Sequence, residues 1–132
     1  MTTGKPHTAI LHYTAPPVIG GVEAVIQAHA RVFVESGYPV TVVAGWGEET
    51  ALPVGVGFVR IPEMDSRYQA IVGAGEILER GEVPGEFDGL VDWLVESLGE
   101  SLDRFDNTIV HNVFTKHFNL PLTAALHRLL DA

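Results

Sequence analysis

Residues 8–45, TAILHYTAPPVIGGVEAVIQAHARVFVESGYPVTVVAG, decide the fold of this chain. They contain a short apolar run at 8–14, a turn with two prolines and two glycines, an amphipathic stretch at 22–36 and a β-branched run at 39–45. The second run is almost continuously apolar, which favours a parallel strand covered on both faces. Gly37 is placed to end the intervening helix in the left-handed conformation. We therefore predict a βαβ unit with a right-handed crossover.

The remaining residues extend this pattern. We predict strands over 56–62 and 108–113 and helices over 87–105 and 120–131. Residues 63–85 are ambiguous: Ser66 could cap a short helix through Val72, and Gly73-Ala-Gly75 is interpreted as a flexible loop. Strands that alternate with helices indicate an α/β, Rossmann-like, doubly wound parallel sheet, and adjacency gives the strand order 3-2-1-4.

The faces of the first helix follow from its spacing. Apolar positions recur at intervals of three and four, which predicts that Val25 and His29 face the core and that Glu23 faces solvent. In the last helix the same spacing predicts that Leu129 and Leu130 face inward. That helix runs to Ala132 with no strand after it, so we expect the 132 residues to be one partial domain of a larger sheet.

Composition excludes several classes of function. Eight basic against 17 acidic residues give a net charge of −9, and the basic residues are scattered, which argues against nucleic acid as a partner. There is no cysteine, so disulfides, thiolate metal sites and cysteine nucleophiles are excluded. No signal peptide is expected at the start and no membrane span anywhere, and we predict a cytoplasmic location.

The loop between the first strand and the first helix is the main candidate site. Gly20 and Gly21 allow close approach to the backbone, the helix N-terminus favours anions, and Glu23 lies in the first turn. Ligands of open α/β sheets bind at this end of the strands. The dinucleotide glycine pattern and the P-loop lysine are missing. The alternative is a tight turn that needs glycine for conformational reasons alone.

Two stretches resemble a known family. PPVIGGVE at 16–23, between the two strands, and DNTIVHNVFTKHFNLPL at 106–122 are similar to the retaining, group 4-like branch of the GT-B nucleotide-sugar glycosyltransferases. His111 and Asn112 match the polar pair at a strand end of that family. The two matches cover less than half of the chain.

The resemblance implies that this is the N-terminal, acceptor-side domain of such an enzyme. Its substrates would be a nucleotide-diphosphate sugar donor and an acceptor hydroxyl, with no other cofactor and no metal. The C-terminal donor-binding domain is not in this sequence, so we expect no turnover from the chain alone. The implied substrate contacts are backbone N–H groups of the Gly-Gly loop and polar side chains at the rim: Gly20, Gly21, Glu23, His111 and Asn112. The catalytic residues are unknown, and Arg67 and Tyr68 are further acceptor candidates.

Other interpretations stay open. His111 could be a structural histidine satisfied by a backbone carbonyl, and a metal site with His117 is disfavoured because no carboxylate or thiol stands at ligand spacing. The whole chain could instead be a non-catalytic, flavodoxin-like binding or regulatory domain. Finally, the outer edge of the strand at 108–113 is apolar and uncharged, so we predict either self-association through this edge or its protection by the last helix.

Overall fold

The computed structural model describes residues 4–131. These residues form four strands, β1 (Thr8–Thr14), β2 (Val40–Trp46), β3 (Gly57–Arg60) and β4 (Asn107–Val110). They also form four α-helices, α1 (Gly21–Glu35), α2 (Gln69–Glu79), α3 (Phe87–Leu102) and α4 (Leu120–Asp131). Predictions about the first three residues and about Ala132 lie outside this described part.

The four strands make one parallel sheet in the order β3-β2-β1-β4. The predicted α/β, Rossmann-like architecture and its strand order are therefore confirmed. β1 is central, with Ile10 opposite Val42 on one side and opposite Ile109 on the other. The chain reverses its direction of winding between β1 and β4. This is the switch point at which open α/β sheets leave a crevice.

Each face of the sheet has its own core. On one face α1 buries Ile26 and Ala30 against Ile10 and Val42. On the other face α3 and α4 pack side by side and bury Leu94, Leu98 and Leu122 against Leu11 and Val43. Both faces of β1 and β2 are thus covered, which is the physical reason for their continuous apolar runs.

The orientation predicted for α1 is wrong in part. Glu23 is buried with 8% of its surface exposed, while Val25 and His29 are exposed. The buried stripe of the helix is Glu23, Ile26 and Ala30. The three positions have helical spacing, and the carboxylate of Glu23 is buried among them because it has a polar partner on β1.

The ambiguous segment contains a full helix. Gly73 and Gly75 lie inside α2, so the flexible loop predicted for them is wrong. Ser66 does not cap this helix, which begins after Tyr68 without a side-chain cap. α2 buries Ile71 and Ala74, and that packing outweighs the roughly 1 kcal/mol by which each glycine disfavours a helix.

Boundaries of other elements also differ, among them β3, which spans Gly57–Arg60 instead of the predicted 56–62. β4 ends at Val110, before the predicted end at residue 113, because Asn112 adopts a left-handed backbone with φ of 63° and Val113 begins a short 3₁₀ turn. α3 ends at Leu102, before residue 105. α4 has the predicted bounds, but Leu130 is 71% exposed instead of inward.

Two further features are the length and polarity of the helices and the free side of β4. Among residues 4–131, no helix is long and apolar enough to cross a bilayer. Within the same residues β4 pairs with β1 alone, and a hollow beside β4 is lined by its Thr108 and Val110 together with Leu126 and Leu129 of α4. Self-association through this side stays a prediction.

Candidate functional site

The loops that follow β1, β3 and β4 meet at the carboxyl edge of the sheet and enclose a cavity of about 360 Å³. Its volume lies at the small end of the range for small-molecule sites. Polar and charged groups of all three loops reach it, together with the start of α1. Those that matter below are Thr14, Gly21, Glu23, Arg67, Asn112 and Lys116.

The sequence-predicted residues are distributed over this edge. Gly21, Glu23 and Asn112 line the cavity itself. Gly20 lies beside it, in a shallow hollow that the two prolines of the loop also line. His111 is half-buried and its ring lies near those of His12 and His29, with centroid separations of 6.5 and 6.2 Å.

Glu23 is held by two neighbours on β1. The Thr14 hydroxyl donates a short hydrogen bond to Glu23 Oε2, and His12 Nε2 is 3.6 Å from the same oxygen. As the third residue of α1, Glu23 places its negative charge against the positive end of that helix. The chain's own carboxylate therefore supplies the anion at this helix start.

Gly20 is explained by the same carboxylate. A Cβ at position 20 would lie 2.3 Å from Glu23 Oε1, whereas a Cβ at Gly21 would meet no atom within 4 Å. The backbone of Gly20 is extended, with φ of −175°, so glycine is not required there by conformation. Glycine at position 20 instead allows close packing against Glu23. The space beside Gly21 is open to a ligand.

His12 connects the two halves of the edge. Its Nδ1 lies 3.1 Å from the carbonyl oxygen of His111. A carbonyl oxygen only accepts, so Nδ1 carries a proton and donates it. The ring of His12 therefore links the carbonyl of the strand end at 111 to the carboxylate of Glu23.

His111 has an unusual environment. Its pKa lies below the ordinary histidine value because burial disfavours the imidazolium, and positive charge on His12 and His29 lowers it further. Its Nε2 is buried without a hydrogen-bond partner among residues 4–131. A structural histidine satisfied by a backbone carbonyl was the alternative for His111, and no such carbonyl bonds to this nitrogen within the described residues.

Tyr13 was not singled out by the sequence. It lines the cavity and is 4% exposed, and its hydroxyl has no partner within the described residues. Burial raises the pKa of this phenol above its ordinary value, so the group stays a neutral donor. Its position in an apolar strand gives no signal of this role in the sequence.

Asn119 was also missed. It is 1% exposed, and its Nδ2 donates to the carbonyls of Glu63 and Met64 at 2.9 and 3.0 Å. Its Oδ1 accepts from the backbone of Leu122 at 3.1 Å, as a helix cap does. An asparagine before a helix could have been identified as a cap, but nothing local reveals the two carbonyls more than 50 positions away.

The path of the loop after β3 depends on another glycine. A Cβ at Gly45 would lie 2.1 Å from the backbone nitrogen of Asp65, so the loop crosses directly over β2. This crossing carries Asp65, Ser66 and Arg67 from the third strand to the cavity above β1. Gly45 stands where a dinucleotide-binding fold would place an acidic residue, and here it makes room for a chain crossing.

Within residues 4–131, no group of three histidine, aspartate or glutamate side chains is arranged to hold a metal ion. The chemistry on offer is a buried carboxylate, neutral hydroxyl and amide donors, and two cationic side chains. These groups can bind and orient a polar, hydroxyl-bearing molecule.

Comparison with protein families, with curated proteins and with solved structures finds no match to this chain. The fold and the cavity define a Rossmann-like α/β domain with a polar cleft at the switch point of its sheet.

Proposed function

We propose that this chain is the acceptor-side domain of a glycosyltransferase that moves a glycosyl group from a nucleotide-diphosphate sugar to an acceptor hydroxyl. The observation that carries the proposal is the meeting of Gly21, Glu23 and Asn112 in one cavity at the switch point. These residues come from the two stretches that resemble the family, which are about 90 positions apart in sequence.

The roles follow from the geometry. The open space beside Gly21 lets a hydroxyl oxygen of the donor or acceptor approach the backbone at the start of α1. Glu23 accepts the Thr14 hydroxyl through one oxygen, and its position in the cavity wall suits contact with a sugar hydroxyl. Asn112, held outward by its left-handed backbone, offers both an amide donor and an amide acceptor. His111 would act through the carbonyl that orients His12.

Under this proposal most of the nucleotide contacts belong to a second domain. We therefore expect UDP-glucose and GDP-mannose to bind the isolated chain with a Kd of about 1 mM or weaker, corresponding to roughly −4 kcal/mol. The test is a titration of ¹⁵N-labelled chain with each donor, followed by the amide shifts of Gly21, Val22 and Asn112.

Gly21→Val should weaken that binding, because the side chain fills the approach to the backbone, where its Cβ would meet no described atom within 4 Å. Gly73→Val is the matched control: this glycine also lies in a helix with open space around it, and it does not line the cavity. Shifts confined to other parts of the surface, or equal losses in both variants, would contradict the proposal. Micromolar binding that Gly21→Val abolishes would show that this domain, and not a second one, supplies most of the donor contacts.

A further inference from the structure

We propose that the acceptor carries a phosphate monoester, bound in the cavity between Lys116 and Arg67. This inference rests on the proposed function, since it names the chemical class of the acceptor. It is carried by the distribution of unpaired charge around the cavity and by the way the two loops are fixed to each other.

Among residues 4–131 the two basic side chains of the cavity have no polar partner, whereas each of its two carboxylates has one. Glu23 accepts from Thr14 and lies beside His12, and Asp65 accepts from the backbone N–H of Arg67 at 2.9 Å. The Lys116 ammonium and the Arg67 guanidinium have no ion-pair or hydrogen-bond partner among residues 4–131. The charged side chains of the cavity that have no partner within residues 4–131 are therefore basic, in a chain of net charge −9.

Three of the other basic side chains have a polar partner. Only eight lysines and arginines are present. Lys5 donates to the carbonyl of Ser36, and Arg60 donates to that of Gly45. Arg128 pairs with Asp92 at 2.6 Å. The side chains of Arg31 and Arg80 also have no hydrogen bond or ion pair within residues 4–131, so what distinguishes Lys116 and Arg67 is that both line one cavity.

The cations lie on loops that are joined to each other. Arg67 follows the turn Pro62–Met64, and Lys116 follows the turn Val113–Thr115. Asn119 connects these loops by its two bonds to the carbonyls of Glu63 and Met64. The backbone that carries both side chains is therefore held in place before any ligand arrives, which lowers the entropic cost of binding.

The anion is better placed here than at the start of α1. The carboxylate of Glu23 already occupies that helix end and would repel a second anion close to it. A phosphate monoester carries nearly two negative charges near neutral pH, which matches two cations better than a carboxylate does.

Two aromatic residues complete the cavity. The buried hydroxyl of Tyr13 has no hydrogen-bond partner among residues 4–131, and the ring of Phe118 is 51% exposed at the wall, with its centroid 6.1 Å from that of Tyr13. An unpaired buried donor is costly, and a ligand oxygen that reached it would remove that cost. The exposed ring offers an apolar surface to the carbon atoms of a polyol. A hydroxyl-bearing phosphate ester fits this combination.

The test compares glucose 6-phosphate, glucose and inorganic phosphate by calorimetry and by amide shifts of the full chain. We expect glucose 6-phosphate to bind at least about tenfold more tightly than glucose, and more tightly than inorganic phosphate. Lys116→Ala and Arg67→Ala should each remove most of this advantage. Arg31→Ala is the matched control, since it removes an equally exposed cation from α1 away from the cavity.

Both variants alter exposed side chains, and thermal unfolding verifies that they fold. Equal binding of the phosphorylated and plain sugar, no binding of either, or an equal loss in Arg31→Ala would overturn the inference. So would inorganic phosphate that binds as tightly as the ester, which would indicate an adventitious ion only. Failure of the donor titrations with Gly21→Val would instead count against the glycosyltransferase proposal, and the two failures are thus distinguishable.

Discussion

The two loops that supply Gly21 and Asn112 to the cavity are stabilised in different ways. The loop after β1 is fixed by near neighbours in sequence: Thr14 bonds Glu23, and Gly20 packs against the same carboxylate. The loop after β4 is fixed across the fold, through the bonds of Asn119 to carbonyls at 63 and 64. The bond that fixes the first loop joins residues 9 positions apart, whereas the bonds that fix the second join residues 55 and 56 positions apart.

This difference predicts that the second loop has the larger effect on stability. Asn119→Ala leaves two carbonyls without their donor and removes the cap of α4. We expect the free energy of unfolding to fall by about 3 kcal/mol, measured by urea denaturation.

Asn119→Asp is the control for that experiment. It keeps the capping oxygen but loses the two amide donors, so it separates the contribution of the cap from that of the link between the loops. A loss below about 1 kcal/mol in the alanine variant would show that solvent replaces these bonds and that the link is weak.

Substitutions in the first loop should lower the free energy of unfolding less, and only at one of its two glycines. Gly20→Ala forces the end of the Glu23 side chain to move and replaces a good N-cap residue, so we expect destabilisation by about 1 kcal/mol. Gly21→Ala meets no atom and lies in the helix, so its effect should stay within about 0.5 kcal/mol or be stabilising. Thermal denaturation of the pair measures the difference, and equal effects would exclude the role assigned to Glu23.

The smallest expected effect concerns the histidines between the loops. Folding lowers the pKa of His111, so the unfolded chain takes up this proton at a higher pH than the folded chain does. The free energy of unfolding should therefore fall as the pH drops below about 6.5, the ordinary pKa of histidine. Above that pH His111 adds no pH dependence.

His111→Gln should make that fall less steep, because the group that takes up the proton is gone. His29→Gln should make it slightly less steep, since it removes one of the two charges that depress the pKa of His111. The measurement is the midpoint of urea denaturation between pH 5 and 7.5. Identical profiles for wild type and His111→Gln would contradict the burial and charge effects at this position.

The strands and three of the four helices described could be predicted from local pattern. β1 and α4 have the bounds that the sequence predicts, because apolar runs and helical spacing depend on neighbours within a few positions. α2 was not predicted in full, since its glycines disfavour a helix locally and the burial of Ile71 and Ala74 compensates. The candidate site was predicted in the same uneven way: Gly21 and Asn112 were expected at one edge, but Tyr13 carries no local signal, and nothing local reveals the two distant carbonyls that Asn119 binds.

The sequence by itself determined the parallel α/β sheet, its order and the edge at which a cleft forms, because these follow from periodicity and from the handedness of crossovers. The tertiary structure alone decided that Glu23 turns inward, that the loop after β3 crosses Gly45 and that Asn119 joins two distant loops. The physical reason is that a buried polar group must find its partner wherever the fold supplies one, and that partner has no fixed distance along the chain.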